Sequence, residues 1–493
     1  MSRAWIPATW AASKGFTAQL KKLIDGGLDV NELDELRWNP LLHAASEGRV
    51  ASIELLLHAG ADLKYLDSEG RSALYYASCF GHVEAVRILF DAGASNIASG
   101  KGGWTAFHGA ANMGQCEVVN FMLAKKVDVN LADDNGKTPL YTAAKYDRLE
   151  VVRCLIRSGA LVNAVDTDGQ TPLFWACYWG HLEMAKLLIK SGAYVLKPDH
   201  FGRTVLHAAS QGGRVDVVRL LLRTFLPLGG SAKADPLDRW GKSPLSDAAF
   251  AGHKAVVEEL ILAGCAVDLR DDKGRTPLQV AAGAGRSQVV GLLLRSGAAV
   301  DAEDIHGETP LQEAARHGRI DVVRSVVQTG LEDEEVRPKD VGRGLVEVPS
   351  PSHIEVLSIL LKAGASSDHR NKSKRTALLL AAQTGDMAVA SKLLEFGANV
   401  RLALPSGQTP ADVAENRGDL MLARLLRTAE REANAADGVK VKEVKQEVQC
   451  DGDIDPRSLE EILAEREKEL EDLTITRDEV AAESIKSEVV LEE

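Results

Sequence analysis

Residues 138–173 read TPLYTAAKYDRLEVVRCLIRSGALVNAVDTDGQTPL, so Thr138-Pro139-Leu140 returns as Thr171-Pro172-Leu173 after 33 residues. The same step leads back to Thr105 and on to Thr204, and it separates Thr276 from Thr309 and Thr376 from Thr409. Asn39, Ser72 and Ser243 hold the same place in their own units. A fixed period of this length means many copies of one supersecondary unit stacked in a line.

Local chemistry assigns the parts of the unit. Thr, Ser or Asn caps a helix through its side-chain oxygen. Pro suits the first helical position, where its missing N–H would be unpaired anyway. Small pairs such as Ala143-Ala144 and Ala314-Ala315 let a neighbouring helix approach. Nine residues after the cap a Gly marks a turn: Gly48, Gly81, Gly114, Gly180, Gly252, Gly285 and Gly318. A second apolar helix follows, for example over 149–156 or 322–327. It stops at Gly60, Gly93, Gly159, Gly297 or Gly397, where a C-cap needs positive φ. A polar stretch such as Asp166-Thr167-Asp168-Gly169-Gln170 then forms an extended finger.

This unit resembles the ankyrin repeat, whose signature is T-P-L-H-x-A at a 33-residue spacing. His108 and His207 keep even its His. The resemblance implies an all-α solenoid of helix-turn-helix units with β-hairpin-like fingers. Openings at 6, 39, 72, 105, 138, 171, 204, 243, 276, 309, 343, 376 and 409 give about thirteen repeats over 1–429, followed by a largely disordered acidic tail over 430–493. Six residues are inserted between Thr204 and Ser243, near 223–238. The unit opening at Arg343 lacks the Thr, and Pro349 and Pro351 sit where its first helix would run. A degenerate repeat near 331–370, with a hinge, is expected there. Asp147 and Ser352 replace the turn Gly, and Lys126 and Phe225 replace the later one.

The 493 residues are 45% apolar and 26% charged, the composition of a soluble globular chain. No run of 18 apolar residues encodes a membrane span. The opening Met1-Ser2-Arg3-Ala4-Trp5 lacks a signal-peptide core, so an intracellular setting, cytoplasmic or nuclear, is expected. Six cysteines without a C-x-x-C pair read as reduced thiols, with no metal or cofactor. Residues 430–493 hold 21 acids against 9 bases and no aromatic residue, so they carry almost all of the chain's net charge of −13. Such a segment cannot bury enough apolar area to fold alone. One short helix is expected near 456–473, opened by Asp455-Pro456 and carrying Leu459, Ile462, Leu463, Leu470 and Leu473. Val444-Lys445-Gln446-Glu447 and Ile485-Lys486-Ser487-Glu488 are similar to the acceptor consensus for the small modifier SUMO, which makes Lys445 and Lys486 candidates. Asp451, Asp453 and Asp455 alternate like a calcium loop, but Pro456 and Ile462 stand where that loop needs Gly and Glu.

The resemblance implies a protein partner on the concave face, lined by the residue before each cap and those seven and eight after it. These are Trp38, Phe80, Trp104, Met113, Tyr146, Tyr178, Trp179 and Phe250, with Phe201 and Trp240 in neighbouring finger positions. Trp and Tyr are favoured binding anchors, although packing between fingers would also use them. Later units place Arg270, Lys273, Arg275, Arg316, His317, Arg370, Lys372, Lys374, Arg375 and Arg417 in and near these positions. This predicts a basic half of the groove, balanced by Asp271, Asp272, Glu303 and Glu308, onto which the tethered acidic tail would fold. Nucleic acid is disfavoured because the repeat domain is near neutral overall. Asn31 ends a stretch that looks like the asparagine-hydroxylation target known in ankyrin families. No phosphate loop, nucleophile elbow or H-E-x-x-H is present, and no catalytic residue is assigned. His82, His181, His253 and His353 recur at one position, which argues for a structural hydrogen bond. Two functions fit: an interaction scaffold or adaptor, or a substrate-recognition or inhibitory subunit of an enzyme complex such as a ubiquitin ligase or phosphatase.

Overall fold

The computed structural model describes residues 7–94, 100, 102–225, 235–317 and 353–449, without the side chains of 225 and 436–449. Helix pairs recur along it, such as Pro139–Lys145 with Leu149–Arg157 and Pro172–Trp179 with Leu182–Lys190. First helices pack on first helices and second helices on second helices. Leu140, Ala143, Ala144, Val151, Val152 and Leu155 are all buried in that stack, and the pattern repeats in each unit. Burying one such Leu or Val contributes about 2 kcal/mol. Among the described residues there are helices and turns but no strands, and no helix is long and apolar enough to cross a membrane.

The caps form as the sequence implies. Leu42 N donates to Asn39 Oδ1 at 2.9 Å, and Tyr75, Tyr141, Phe174 and Leu379 N donate to the hydroxyls of Ser72, Thr138, Thr171 and Thr376 at 3.2 Å. The turn glycines and the helix-ending glycines are left-handed (Gly81 at φ 78°, Gly159 at 88°), and so are their replacements, Asp147 at 58° in a turn and Lys126 at 62° at a helix end. Most fingers are closed by one aspartate, with Asn371 in its place at Arg375. Asp133 Oδ1, for instance, accepts from Asn135 N at 2.9 Å and Lys137 N at 2.8 Å, and Asp199 and Asp238 do the same for their own fingers.

One bond joins successive units. Ten residues after the cap, in the units up to the one opened by Thr276, a side chain reaches back to a carbonyl at the end of the preceding first helix, whereas Asp386 and Asp419 hold that place in the last two units. Arg49 Nε donates to Ser13 O at 3.0 Å, His82 Nε2 to Ser46 O at 3.0 Å, Gln115 Nε2 to Cys79 O at 2.9 Å and Arg148 Nε to Asn112 O at 2.7 Å. His181, Arg214 and Arg286 continue the series to Lys145, Tyr178 and Phe250. Each of these bonds spans 36 residues; His253 reaches Gln211 O over 42, because six residues are inserted between their units. The structural role expected for the recurring histidines is thus met by geometry.

The expectation around Arg343 is corrected. His353 Nε2 bonds Gly283 O over 70 residues, and His353–Lys362 packs against Pro310–His317 and Ser287–Arg295. It therefore fills the place of second helix in the unit opened by Thr309, where 322–327 was expected. Gln312 Nε2 donates to Arg375 O across 63 residues, matching the Gln279 bond to Glu308 O across 29. The Asp301 carboxylate accepts from Ser366 N across 65, matching Asp268 and Ala299 across 31. All three spans exceed their counterparts by 34 residues. The apolar pattern agrees: His353, Val356, Leu357 and Leu360 repeat the spacing of His253, Val256, Val257 and Leu260. Among the described residues there are twelve first helices, not about thirteen, and units across this point are bonded directly, without a hinge. Residues 318–352 lie outside the described residues.

The chain divides into a unit ending at Ala423 and another beginning at Arg424. The boundary expected at 429 falls inside the helix Leu420–Gln449. In the second unit Arg427 Nη1 pairs with Glu430 at 3.0 Å. The helix expected near 456–473, and Lys486, lie outside the described residues.

The left-handed lysine yields a test. Lys126→Gly removes side-chain strain and is expected to raise unfolding stability by about 1 kcal/mol in urea titration. Gly60→Ala meets no atom within 4 Å yet sits at φ 84°, so it is expected to lower stability by a similar amount through backbone strain alone.

Candidate protein-binding face

Four successive units carry a large apolar residue eight positions after the cap. Phe80, Met113, Tyr146 and Trp179 are 51%, 43%, 45% and 36% exposed. They stand at the end of the first helix, past the faces that stack, so the neighbouring unit leaves them uncovered. The row breaks at Gly212, where a Cβ would meet Tyr178 O at 2.1 Å; in the next unit an exposed aromatic, Phe250 at 62%, stands one place earlier, seven after the cap. Tyr178 is partly buried, with its ring edge-on to Trp179 at 5.2 Å and to Trp175 at 5.6 Å.

The other expected aromatics engage neighbouring groups. Trp38 packs on Tyr76 at 4.4 Å and His43 at 5.0 Å. Trp104 Nε1 donates to Asp133 Oδ2 at 3.0 Å, which ties two fingers together. Phe201 and Trp240 stack at 6.0 Å with planes 12° apart, and Trp240 remains half exposed. The structure therefore separates an exposed row from a set of finger aromatics, a distinction that spacing alone does not make.

Most of the expected basic residues have partners. Arg275 pairs with Asp271 at 2.8 Å, Arg316 with Glu308, and His317 with Glu313 at 3.4 Å. Arg270 donates to Gly274 O at 2.8 Å and to Glu303 O in the next finger, and Arg370 likewise reaches Ala403 O at 2.5 Å. Lys372 Nζ donates to Ile305 O at 2.8 Å, and Arg417 to Gln383 O. Lys273 is exposed; Lys374 is left-handed at φ 57°, and Arg375 N donates to Asn371 Oδ1 at 2.8 Å. Asn31 is also a strut: its Oδ1 accepts from Asp62 N at 2.7 Å, as Asn163 does from Tyr194 N at 2.8 Å. Lys445 lies on the helix that ends at Gln449, with its side chain not described.

The position four after the cap was missed from sequence, and it carries Trp175 and Asp247. Lys145 Nζ lies 4.3 Å from the Trp175 ring centroid and 5.8 Å from that of Tyr146. Burial, helped by the charge of Lys137, holds the Lys145 ammonium below its ordinary range. Burial pushes the Asp247 carboxyl up to about 7, against the opposing pull of Lys242 and Arg203. His108 and His207 are held below the usual imidazole range, also by burial. Neutral, each accepts from its cap N–H at Nδ1 (Thr105 at 3.3 Å, Thr204 at 3.1 Å) and donates from Nε2 to Lys137 O or Lys242 O. That position varies widely between units, from Gly109 and Ala208 to His43 and Glu313, so the sequence carried no signal that singled out Trp175 or Asp247.

The family of ankyrin repeats in three copies matches residues 8–99, 107–199, 193–265 and 245–337, and the single ankyrin repeat matches 373–403. The chain belongs to the ankyrin-repeat family, whose repeats are general protein-interaction modules. It is similar to potassium channel KOR2 of Oryza sativa subsp. japonica, 36% identical over 91 residues, which is 18% of this chain and only 13% of that protein. It is similar as well to the crystal structure of the human ASB11 ankyrin repeat domain, at 29% identity and a TM-score of 0.40, over 44% of this chain and 97% of that one.

Asp247 gives a pH test. A carboxyl raised in the folded state destabilises the fold when ionised. That cost is absent below about pH 4, grows as pH rises to about 7, and is complete above it. Asp247→Asn removes it. The variant is expected to exceed the wild type in stability by on the order of 2 kcal/mol at about pH 8, with little difference at about pH 4, in urea titrations at both.

Proposed function

We propose that this chain is an interaction scaffold or adaptor that seats a protein partner along the face formed by its fingers and first-helix ends. The observation that carries this reading is the exposed row Phe80, Met113, Tyr146 and Trp179, one large apolar side chain in each of four consecutive units. Burying each such side chain contributes about 1.5–3 kcal/mol, so a partner covering the row gains enough for specific binding. An extended segment or a helix of the partner fits a linear row of this kind. The setting is read as intracellular, and the chain is read as a binding protein without catalysis of its own.

The test is an affinity capture from native cells, with wild type beside Phe80→Ser/Tyr146→Ser/Trp179→Ser. Partners of the face are expected to fall at least about tenfold in the variant, since three anchors are removed. Trp104→Phe keeps its ring and loses only the bond to Asp133, so it is expected to retain them. Unchanged capture by the triple variant would overturn the reading. A catalytic subunit among the lost partners would favour the recognition-subunit or inhibitory-subunit role.

A further inference from the structure

Two lysines at the centre of the row are not explained by apolar seating. Lys137 immediately precedes the Thr138 cap, and Lys145 follows that cap by seven residues. Among the described residues neither ammonium meets a carboxylate. The finger arginines differ: Arg71 and Arg203 reach Asp67 and Asp199 at 3.0 and 2.8 Å. In the finger of Lys137, Asp133 Oδ2 is occupied by the Trp104 indole N–H at 3.0 Å. Asp166, whose charge also reaches Lys145, accepts the Tyr141 hydroxyl at 2.8 Å.

Lys145 is set against aromatic carbon instead, 4.3 Å from the Trp175 centroid. Trp175, Tyr178 and Trp179 continue from there edge to face. Two like charges are thus held within each other's influence, and among the described residues neither has a carboxylate in direct contact; Asp166 attracts Lys145 only from a distance. Cation–π contact compensates only in part, at about 0.5–2 kcal/mol. An anion placed between the ammonium groups would relieve the repulsion and gain charge-assisted hydrogen bonds in a partly desolvated site.

We propose that Lys137 and Lys145, with Tyr146 and Trp175 set beside Lys145, form a subsite for an acidic side chain of the partner. The seated segment is then an acidic peptide that also carries large apolar residues for the exposed row. This rests on the binding face proposed above. Charge complementarity sets the sign: the two free cations select carboxylate and reject a basic segment.

The test is a selection of phage-displayed random twelve-residue peptides on the immobilised full chain. Three forms are compared: wild type, Lys137→Glu/Lys145→Glu, and Tyr146→Ser/Trp179→Ser, each first shown to melt as the wild type does. Wild type is expected to enrich Asp and Glu beside an aromatic or aliphatic residue, and the charge-reversed form to enrich Lys and Arg. The best wild-type peptide should bind the charge-reversed form at least about tenfold more weakly, and rising salt should shrink that difference. Lys145→Met alone, which keeps the apolar stem over Trp175, should weaken the same peptide without favouring basic ones. The same peptides on wild type and the charge-reversed form, or no acidic enrichment, would overturn the subsite while leaving the face standing. Capture that does not depend on Tyr146 and Trp179 would overturn the face and the subsite together.

Discussion

The first helices from Pro7–Lys14 to Pro277–Gly283 each end in a carbonyl that takes its side-chain donor from another unit. The last carbonyls of a helix have no partner within it, and burying them unpaired costs about 1–3 kcal/mol each. Here the partner comes from the next unit, as Arg49, His82, Gln115, Arg148 and their equivalents show. Arg, His and Gln serve alike because each carries an N–H at the end of a side chain that reaches. No unit is complete alone, so the stack must be continuous. That explains why the bond persists over 42 residues at His253 and 70 at His353: the ladder is kept among the described residues whatever the length of chain between its partners.

The same accounting of polar groups links the fold to the binding face. Each finger aspartate uses one carboxylate oxygen to close its own turn, which leaves the other for a neighbour, or for two, as where Asp67 Oδ2 accepts from both Arg71 and Tyr76. Where that neighbour is Arg71, Arg203 or Arg275, the cation is neutralised in place. Where it is Trp104, the oxygen of Asp133 accepts an indole N–H, and Lys137 has no contacting carboxylate among the described residues. The electrostatics of the groove therefore follow from which side chain wins each finger aspartate. A finger that uses Trp as its strut adds a net cation to the face. Along the later units the reverse holds, and many of the basic residues there act as struts to carbonyls and carboxylates.

Much of this was legible from residue spacing. Caps, turn glycines and the register of the exposed row all follow from position within a 33-residue unit, because they depend on local backbone geometry. Even the exceptions were legible, since Lys126 and Asp147 take the left-handed conformation of the glycines they replace. The unit at Arg343 was not. The extra chain there is 34 residues long, within one residue of the repeat period, so counting periods cannot tell an insertion from a repeat. Only the partner of His353 distinguishes them. The binding face divides similarly: the exposure of Phe80 and Tyr146 follows from register, but the finger bond of Trp104 depends on a carboxylate 29 residues away.

By itself the sequence determined the class of fold, the residues that cap and terminate each helix, and the face on which large side chains collect. These are consequences of short-range sterics and of a period that any stacked unit must respect. Tertiary structure alone decided which helix completes the unit opened by Thr309, which aromatics are struts and which are exposed, and which lysines meet no carboxylate directly. Those outcomes turn on competition between several donors for one acceptor. Such competition is settled by three-dimensional proximity, and the order of residues along the chain does not record it.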